Sequence, residues 1–411
     1  MARKKVVWLS NFKFSDSASS GSGGWIESMG KCFVADGEYE ICNITLGPSA
    51  SVSRHDACGI RQWIVPVNPT IKKPMCALPP PTIVDGLKRV VDEVSPDLIH
   101  VWGTERFWGL LTARKILDCP ALLEMQGVTS AMTPYMTGCL TRQETRACFG
   151  LKEVLRPWLS LEWQQRRFAA SKVVEEEIIA GHRFIDYQSE WVKAYIAPYV
   201  SGARTFKTRM MLRADYLEST PWRYRNANHV VFSSCGWAAN KGLHVLARAC
   251  LMLKKKYPDI QLRIAGAIGK GIRESGYERW IRKEMQGKID LVALGSLTSP
   301  QMIKEMRSAA VFVNPSLVES YSLSLAEAMA VGCPCIASYA GAMPEVGGSG
   351  CLYFPIADSG VLAQRIEHVF ESGFGIEAMT MVARTKSLAD HNMYTAVKRQ
   401  KEIYAEIFGN V

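Results

Sequence analysis

Two carboxylates stand eight residues apart in the stretch 314–338, NPSLVESYSLSLAEAMAVGCPCIAS: Glu319 in a loop, and Glu327 inside a helical pattern that begins near Ser322 and ends at Gly332. If both were helical, roughly 12 Å along the axis would separate them, against the roughly 5 Å between nucleophile and acid in a retaining glycosidase, so they do not form such a dyad. A loop acid ahead of a helix N-terminus, followed by an acid on the second turn, instead suits a phosphorylated ligand. Backbone amides take the phosphate and carboxylates take hydroxyls. Taken singly, each residue has a plainer reading: Glu327 closes a capping box with Ser324, and Glu319 is a solvated loop acid.

The elements that must position this pair are legible around it. The apolar run 309–313 stops at Asn314-Pro315, a Leu-, Ala- and Met-rich helix follows, and 334–338 is a second short apolar run. That order is a βαβ unit, whose parallel strands leave a helix N-terminus and a loop at one crevice. Upstream, strand-like runs at 6–10, 39–46, 63–67, 97–102, 121–125 and 184–188 alternate with helical stretches such as 25–33 and 83–94. After an irregular, Arg-rich stretch (197–228), a second alternation begins: strands at 229–233, 260–265 and 289–294, helices at 243–256, 277–286 and 300–308. The pattern predicts an α/β protein of two doubly wound parallel-sheet, Rossmann-like domains, with a last helix over 393–408.

Glu319-Ser320-Tyr321-Ser322-Leu323 and Glu327-Ala328-Met329-Ala330, continued by Val331-Gly332-Cys333-Pro334, Gly341 and Glu345, resemble the E-x7-E signature of retaining GT-B glycosyltransferases of family 4 type, the glycosyl transferases group 1. The resemblance covers nearly the whole chain and is strongest over 229–354. It implies a GT-B fold facing a cleft: an acceptor-side domain over 1–200, joined by a return helix over 391–411, and a nucleotide-sugar donor domain over 201–390. It also implies that Glu319 contacts the donor sugar, that the amides of Ser320, Tyr321, Ser322 and Leu323 meet the diphosphate, and that Glu327 binds the ribose. Lys241, in Asn240-Lys241-Gly242-Leu243, is similar to the family's Lys-Gly and would pair with the leaving diphosphate, where an ammonium offsets developing charge. Without its neighbours it reads as an exposed helix-start lysine. Gly23-Gly24 falls where the family has a loop capping the diphosphate. Gly266 and Gly269 back the nucleotide, and Gly295-Ser296-Leu297 matches the loop beside the base. Gln126 occupies the place of a histidine in many relatives; it can hydrogen-bond a sugar or a leaving oxygen but cannot exchange a proton near neutral pH. Gly236 stands where many relatives carry Arg, with Arg204 or Arg209 as substitutes. His100, in a stretch like the family's PDLIH strand, is expected to be a buried structural histidine.

Retention at the anomeric carbon follows from the resemblance, with transfer from a nucleoside-diphosphate sugar, UDP-sugar foremost, to a glycan or lipid-linked acceptor in surface polysaccharide or glycolipid biosynthesis. No Asp-x-Asp occurs, so no metal and no cofactor are expected; the helix N-terminus, the Gly loop and Lys241 take over charge stabilisation. Rival readings are a nucleotide-sugar epimerase of the same fold and a non-catalytic binding relative.

At 411 residues, with 48% hydrophobic and 21% charged residues, the chain can bury two cores and is not a disordered type. Its 12 cysteines form no C-x-x-C pair and no zinc-spaced cluster, which fits a reducing cytosol. The apolar segment after Arg3-Lys4-Lys5 is too short for a signal sequence, and no stretch approaches a membrane span. Net charge is +10, which favours anionic partners. Between Cys139 and Phe168, Arg142, Arg146, Lys152, Arg156, Arg166 and Arg167 interleave with Phe149, Trp158 and Trp163, with Pro157 splitting two helices. This segment is either an ordinary surface pair or an interfacial face for the inner leaflet of an anionic membrane, placed with the acceptor-side domain. Nucleic acid is not expected as a partner.

Overall fold

Strands whose residues are buried on both faces need helices on both sides, and the chain meets that need twice. In the computed structural model, residues 3–16, 24–66, 77–224, 229–269 and 274–410 are described. The first sheet comprises β1 (Lys4–Leu9), β2 (Tyr39–Gly47), β3 (Ser53–Arg54), β4 (Arg61–Pro66), β5 (Leu98–Trp102), β6 (Ala121–Met125), β7 (Phe184–Tyr187) and β8 (Arg204–Lys207). Their order is β3-β4-β2-β1-β5-β6-β7-β8, and all neighbours are parallel except β3 and β4. The second sheet, wholly parallel, comprises β9 (Val230–Ser233), β10 (Gln261–Ala265), β11 (Asp290–Gly295), β12 (Val311–Asn314), β13 (Cys335–Ser338) and β14 (Leu352–Phe354), in the order β11-β10-β9-β12-β13-β14. The order reverses between β9 and β12, and α/β proteins bind ligands outside the strand carboxyl ends at such a reversal.

The chain divides into two compact units, Met1–Ser130 with Phe168–Met211 and Asn392–Val411, and Ala131–Arg167 with Leu212–His391. The last helix, Met393–Phe408, therefore belongs to the first unit, where Ala396, Ile403, Tyr404 and Ile407 are fully buried with Trp8 and Phe33. Trp8 Nε1 donates to the Tyr404 hydroxyl at 3.1 Å.

Two boundaries differ from the sequence reading. Residues 204–207, read as part of an interdomain connection, form the edge strand β8 of the first sheet. The segment 131–167, read with the first domain, packs on the second. Its Cys148 and Leu161 enter the second core, the fully buried Glu153 carboxylate accepts from Arg279 Nη2 at 2.6 Å, and Glu144 pairs with Arg248. Pro157 does interrupt this segment, but into more pieces than two: helices Arg142–Ala147 and Leu151–Leu155, a 3-10 turn Pro157–Leu159, then a 20-residue helix Leu161–Ala180.

Candidate functional site

In the second unit, the connections that leave β9 and β12 cross at the strand-order reversal and hold each other by backbone. The turn Ala239–Lys241 ends at Gly242 in the left-handed region (φ 74°), where a Cβ would overlap the Pro315 carbonyl; only glycine lets the two loops approach so closely. Leu317 N–H donates to the Asn240 carbonyl at 3.0 Å. Gly341 (φ 56°) does the same from the β13 side: a Cβ there would overlap the Glu319 carbonyl, which accepts from Ala342 N–H at 2.9 Å. The result brings Lys241 Nζ to 2.6 Å from Glu319 Oε1, with the glutamate side chain only 14% exposed. Two of the residues singled out from sequence are thus in direct contact across 78 residues of chain.

The helix after Glu319 runs from Leu323 to Val331 and ends at Gly332. Its N-cap is Ser322, held at φ 87°, a conformation that is strained for a residue with a Cβ. Ser322 Oγ accepts from Leu325 N–H at 3.4 Å and from Asn314 Nδ2 at 2.7 Å, so the residue that ends β12 also sets the cap. Ser324 consequently lies inside the helix and makes no capping box with Glu327. Glu327 instead meets Arg213, with Nη2 3.0 Å from Oε1. Burial pushes its carboxyl above the ordinary range, and the Arg213 guanidinium pulls the other way. Arg213 carries no recognisable motif, and only its place beside Glu327, on a helix of the same unit, reveals it. The Tyr321 hydroxyl lies 2.8 Å from His391 Nε2, and Leu323 packs half-buried on the second core.

The remaining second-unit positions lie further along the same sheet. Gly266 follows β10, and its N–H donates to Gly295 at 2.8 Å. Gly269 N–H donates to Glu278 Oε1 at 2.8 Å. After β11, Ser296 is exposed and Leu297 half-buried. Arg204, offered as a substitute for the cation lacking at Gly236, is committed to Glu406 at 2.5 Å in the first unit.

In the first unit, the carboxyl edge of the sheet gathers the other candidates. Gly23 lies outside the described residues. Gly24 is buried as the first residue of the helix Gly24–Asp36, and the next side chain, Trp25, meets Trp102 at the end of β5 with ring centroids 5.0 Å apart. Gln126 follows β6, and its carbonyl accepts from Gln188 Nε2 at 2.7 Å. Beside it stands an acid that the sequence reading missed: Glu105, whose Oε1 accepts from Gly127 N–H at 2.8 Å and whose Oε2 is buried without a hydrogen-bond partner among the described residues. Burial pushes this carboxyl up to about 6. A lone Glu in a loop gives no sequence signal for such a shift. His100 is fully buried, as expected, and burial lowers it to about 3.

Residues 227–372 match the family described as Glycosyl transferases group 1. The D-inositol 3-phosphate glycosyltransferase of Pseudarthrobacter chlorophenolicus is 32% identical over 105 residues, 25% of this chain and 24% of that protein. WcaL of Salmonella typhimurium, named for a glycosyltransferase role in colanic acid biosynthesis, is 32% identical over 173 residues, 39% of this chain and 40% of that protein. The chain thus spans about a quarter to two fifths of these curated relatives. Among solved structures, sucrose-phosphate synthase from Thermosynechococcus elongatus superposes with a TM-score of 0.73 at 18% identity, over 100% of both chains. HepE from Anabaena, in complex with UDP-glucose, superposes with a TM-score of 0.67 at 14% identity, over 99% of this chain and 100% of that one. The fold is GT-B, and the group 1 domain together with these neighbours supports a GT-B glycosyltransferase.

Glu105 generates a pH prediction. A carboxyl whose folded value is raised binds its proton more tightly when folded, so its contribution to stability is full below about pH 4 and is lost as pH rises through about 6. A shift of this size corresponds to about 2 kcal/mol above pH 7. Glu105→Gln should therefore melt higher than wild type at pH 8, with the difference vanishing toward pH 4. Parallel melting curves of the two proteins across that range would show that the acid is not buried as described.

Proposed function

We propose that the protein transfers a sugar, with retention, from a nucleoside-diphosphate sugar, UDP-sugar foremost, to a glycan or lipid-linked acceptor. The observation that carries this reading is the Lys241–Glu319 contact at the strand-order reversal of the domain that matches the group 1 family. In this account, an arriving donor separates the pair. The ammonium turns to the diphosphate, the Glu319 carboxylate to a sugar hydroxyl, and the N-terminus of the helix Leu323–Val331 faces the phosphates. Glu327, paired with Arg213, accepts from the ribose hydroxyls. As the glycosidic bond to the leaving phosphate breaks, negative charge grows on the diphosphate, and Lys241 with the helix N-terminus stabilises it. These groups replace a divalent ion in the transfer step. The UDP preference is supported by the UDP-glucose held by HepE, and the polysaccharide reading by the name of WcaL.

The test is a panel of nucleotide sugars, assayed for nucleoside diphosphate release with and without acceptor extracts, in the presence of excess chelator. Release from UDP-sugars should persist in chelator and fall at least tenfold in Glu327→Gln, with little change in melting temperature. Release that needs added magnesium or manganese contradicts the charge scheme, and unchanged nucleotide affinity in the variant contradicts the ribose role.

The place of work is proposed to be an anionic membrane face. The segment 142–156 leaves Phe149, Leu151, Val154 and Leu155 at 48, 84, 60 and 78% exposure, beside the exposed Arg142 and Arg146. Apolar side chains that insert and basic ones that stay with headgroups are the two components of interfacial binding, at roughly 1 kcal/mol per basic residue. This face belongs to the unit that carries Lys241 and Glu319 rather than to the other one. No helix among the described residues is long and apolar enough to cross a membrane. Sedimentation should require anionic liposomes, weaken with salt, and drop in Leu151→Asp/Leu155→Asp; equal binding to neutral vesicles, or none to either, would point to a water-borne acceptor.

A further inference from the structure

The middle of the first sheet holds a cluster that the donor site does not use. His100 on β5, Glu124 on β6 and Asp186 on β7 point to the face covered by the helix Met393–Phe408, and all three are buried at 1% exposure or less. One ring nitrogen and one oxygen from each acid lie within 4.8 Å of one another. His100 Nε2 is 3.5 Å from Glu124 Oε2. Neither acid makes a Lys or Arg ion pair within 4 Å among the described residues; His100 Nε2 lacks a hydrogen-bond partner there, and Asp186, which lies against the Gln400 amide, has neither oxygen in a well-formed hydrogen bond. Buried polar atoms in a folded core are ordinarily satisfied, so an unpartnered ring nitrogen beside a carboxylate with no well-formed hydrogen bond asks for a missing partner.

The outer contacts orient the histidine as a ligand. Its Nδ1 lies 2.7 Å from the Tyr404 hydroxyl, itself held by Trp8, and the ring stacks on Trp102 at 4.1 Å between centroids. A ring nitrogen fixed by an outer partner leaves the other aimed at the acids, as in ligating histidines generally. Burial holds the imidazole neutral, the form that binds a metal, and pushes both carboxyls well above their usual range unless a cation meets them.

We propose that His100 Nε2, Glu124 and Asp186 bind one divalent first-row ion of zinc chemistry, which fastens three central strands beneath the last helix. Two carboxylates and a divalent ion sum to zero charge, which removes the cost of burying the acids as anions. An imidazole ligand favours zinc-like ions over magnesium or calcium. Ligand bonds of about 2.0–2.2 Å put ligand atoms about 3.5 Å apart, the His100–Glu124 separation, and side-chain rotation closes the rest. Because the cluster is fully buried, the ion enters as the chain folds and does not exchange afterwards. This site is independent of the donor reading, and a chelator that leaves transfer intact is compatible with it.

The full chain would be unfolded in chelator, stripped, and refolded either with one equivalent of zinc chloride or with chelator alone. After dialysis of the folded protein against EDTA, the zinc-refolded sample should retain about one ion per chain by mass spectrometry and melt higher than its chelator-refolded twin. Denaturation should then release the ion to a chromophoric chelator. His100→Gln/Asp186→Asn should retain at least tenfold less. If the zinc-refolded wild type holds no more ion than the twin and melts with it, the acids keep their protons and the proposal fails. It also fails if the double variant retains the ion undiminished, and the wild-type comparison stands even if that variant does not fold.

Discussion

Everything proposed for the donor depends on two loops being pressed together at one place. Because β9 and β12 are hydrogen-bonded neighbours from which the chain departs in opposite directions, the connections after them leave side by side. They approach most closely where a side chain is missing, at Gly242 against Pro315, and the connection after β13 closes on the second of them in the same way, at Gly341 against Glu319. That contact sets a lysine against a glutamate that is mostly buried, and each offsets the other's charge. A ligand that carries both phosphate and hydroxyl groups can take over both partners. The Asn314–Ser322 hydrogen bond links the strand end to the helix cap, so the helix N-terminus and the ion pair are set by the same few residues.

The first unit handles its acids in three ways. Glu175 accepts from Thr129 N–H, Ser130 N–H and Thr104 Oγ1, each at 2.8 Å, so its buried oxygens are well supplied with donors. Glu105 accepts from Gly127 N–H, and burial raises its affinity for protons despite that bond. Glu124 and Asp186 lie side by side on neighbouring strands, where burial and, for Glu124, the neighbouring acid raise their affinity for protons well above the usual range.

Local signals were legible where local physics decides the outcome. The helix 323–331 stops at Gly332 because a left-handed residue is needed there, and the last helix has the bounds its apolar spacing predicts, Met393–Phe408. The E-x7-E spacing and Lys241 were also readable, although their contact was not, since nothing local ties residue 241 to residue 319. The short edge strands β8 and β14 escaped because a few residues carry no period. The allegiance of 131–167 rests on Glu153–Arg279 and Glu144–Arg248, pairs between distant parts of the chain that composition cannot reveal. Likewise Ser322, rather than Ser324, caps the helix because Asn314 reaches it, and Glu327 is free of the cap because Arg213 takes it.

If donor binding does separate Lys241 from Glu319, removing the carboxylate must act oppositely on two ligands. Calorimetric titration of Glu319→Gln with UDP and with a UDP-sugar that the wild type turns over measures this directly. With its lysine released beforehand, the variant should bind UDP at least as tightly as wild type while its affinity for the UDP-sugar falls severalfold. Equal weakening of both ligands, or no change in either, would contradict the account, because Glu319 would then be neither the counter-ion of the empty site nor the partner of the sugar.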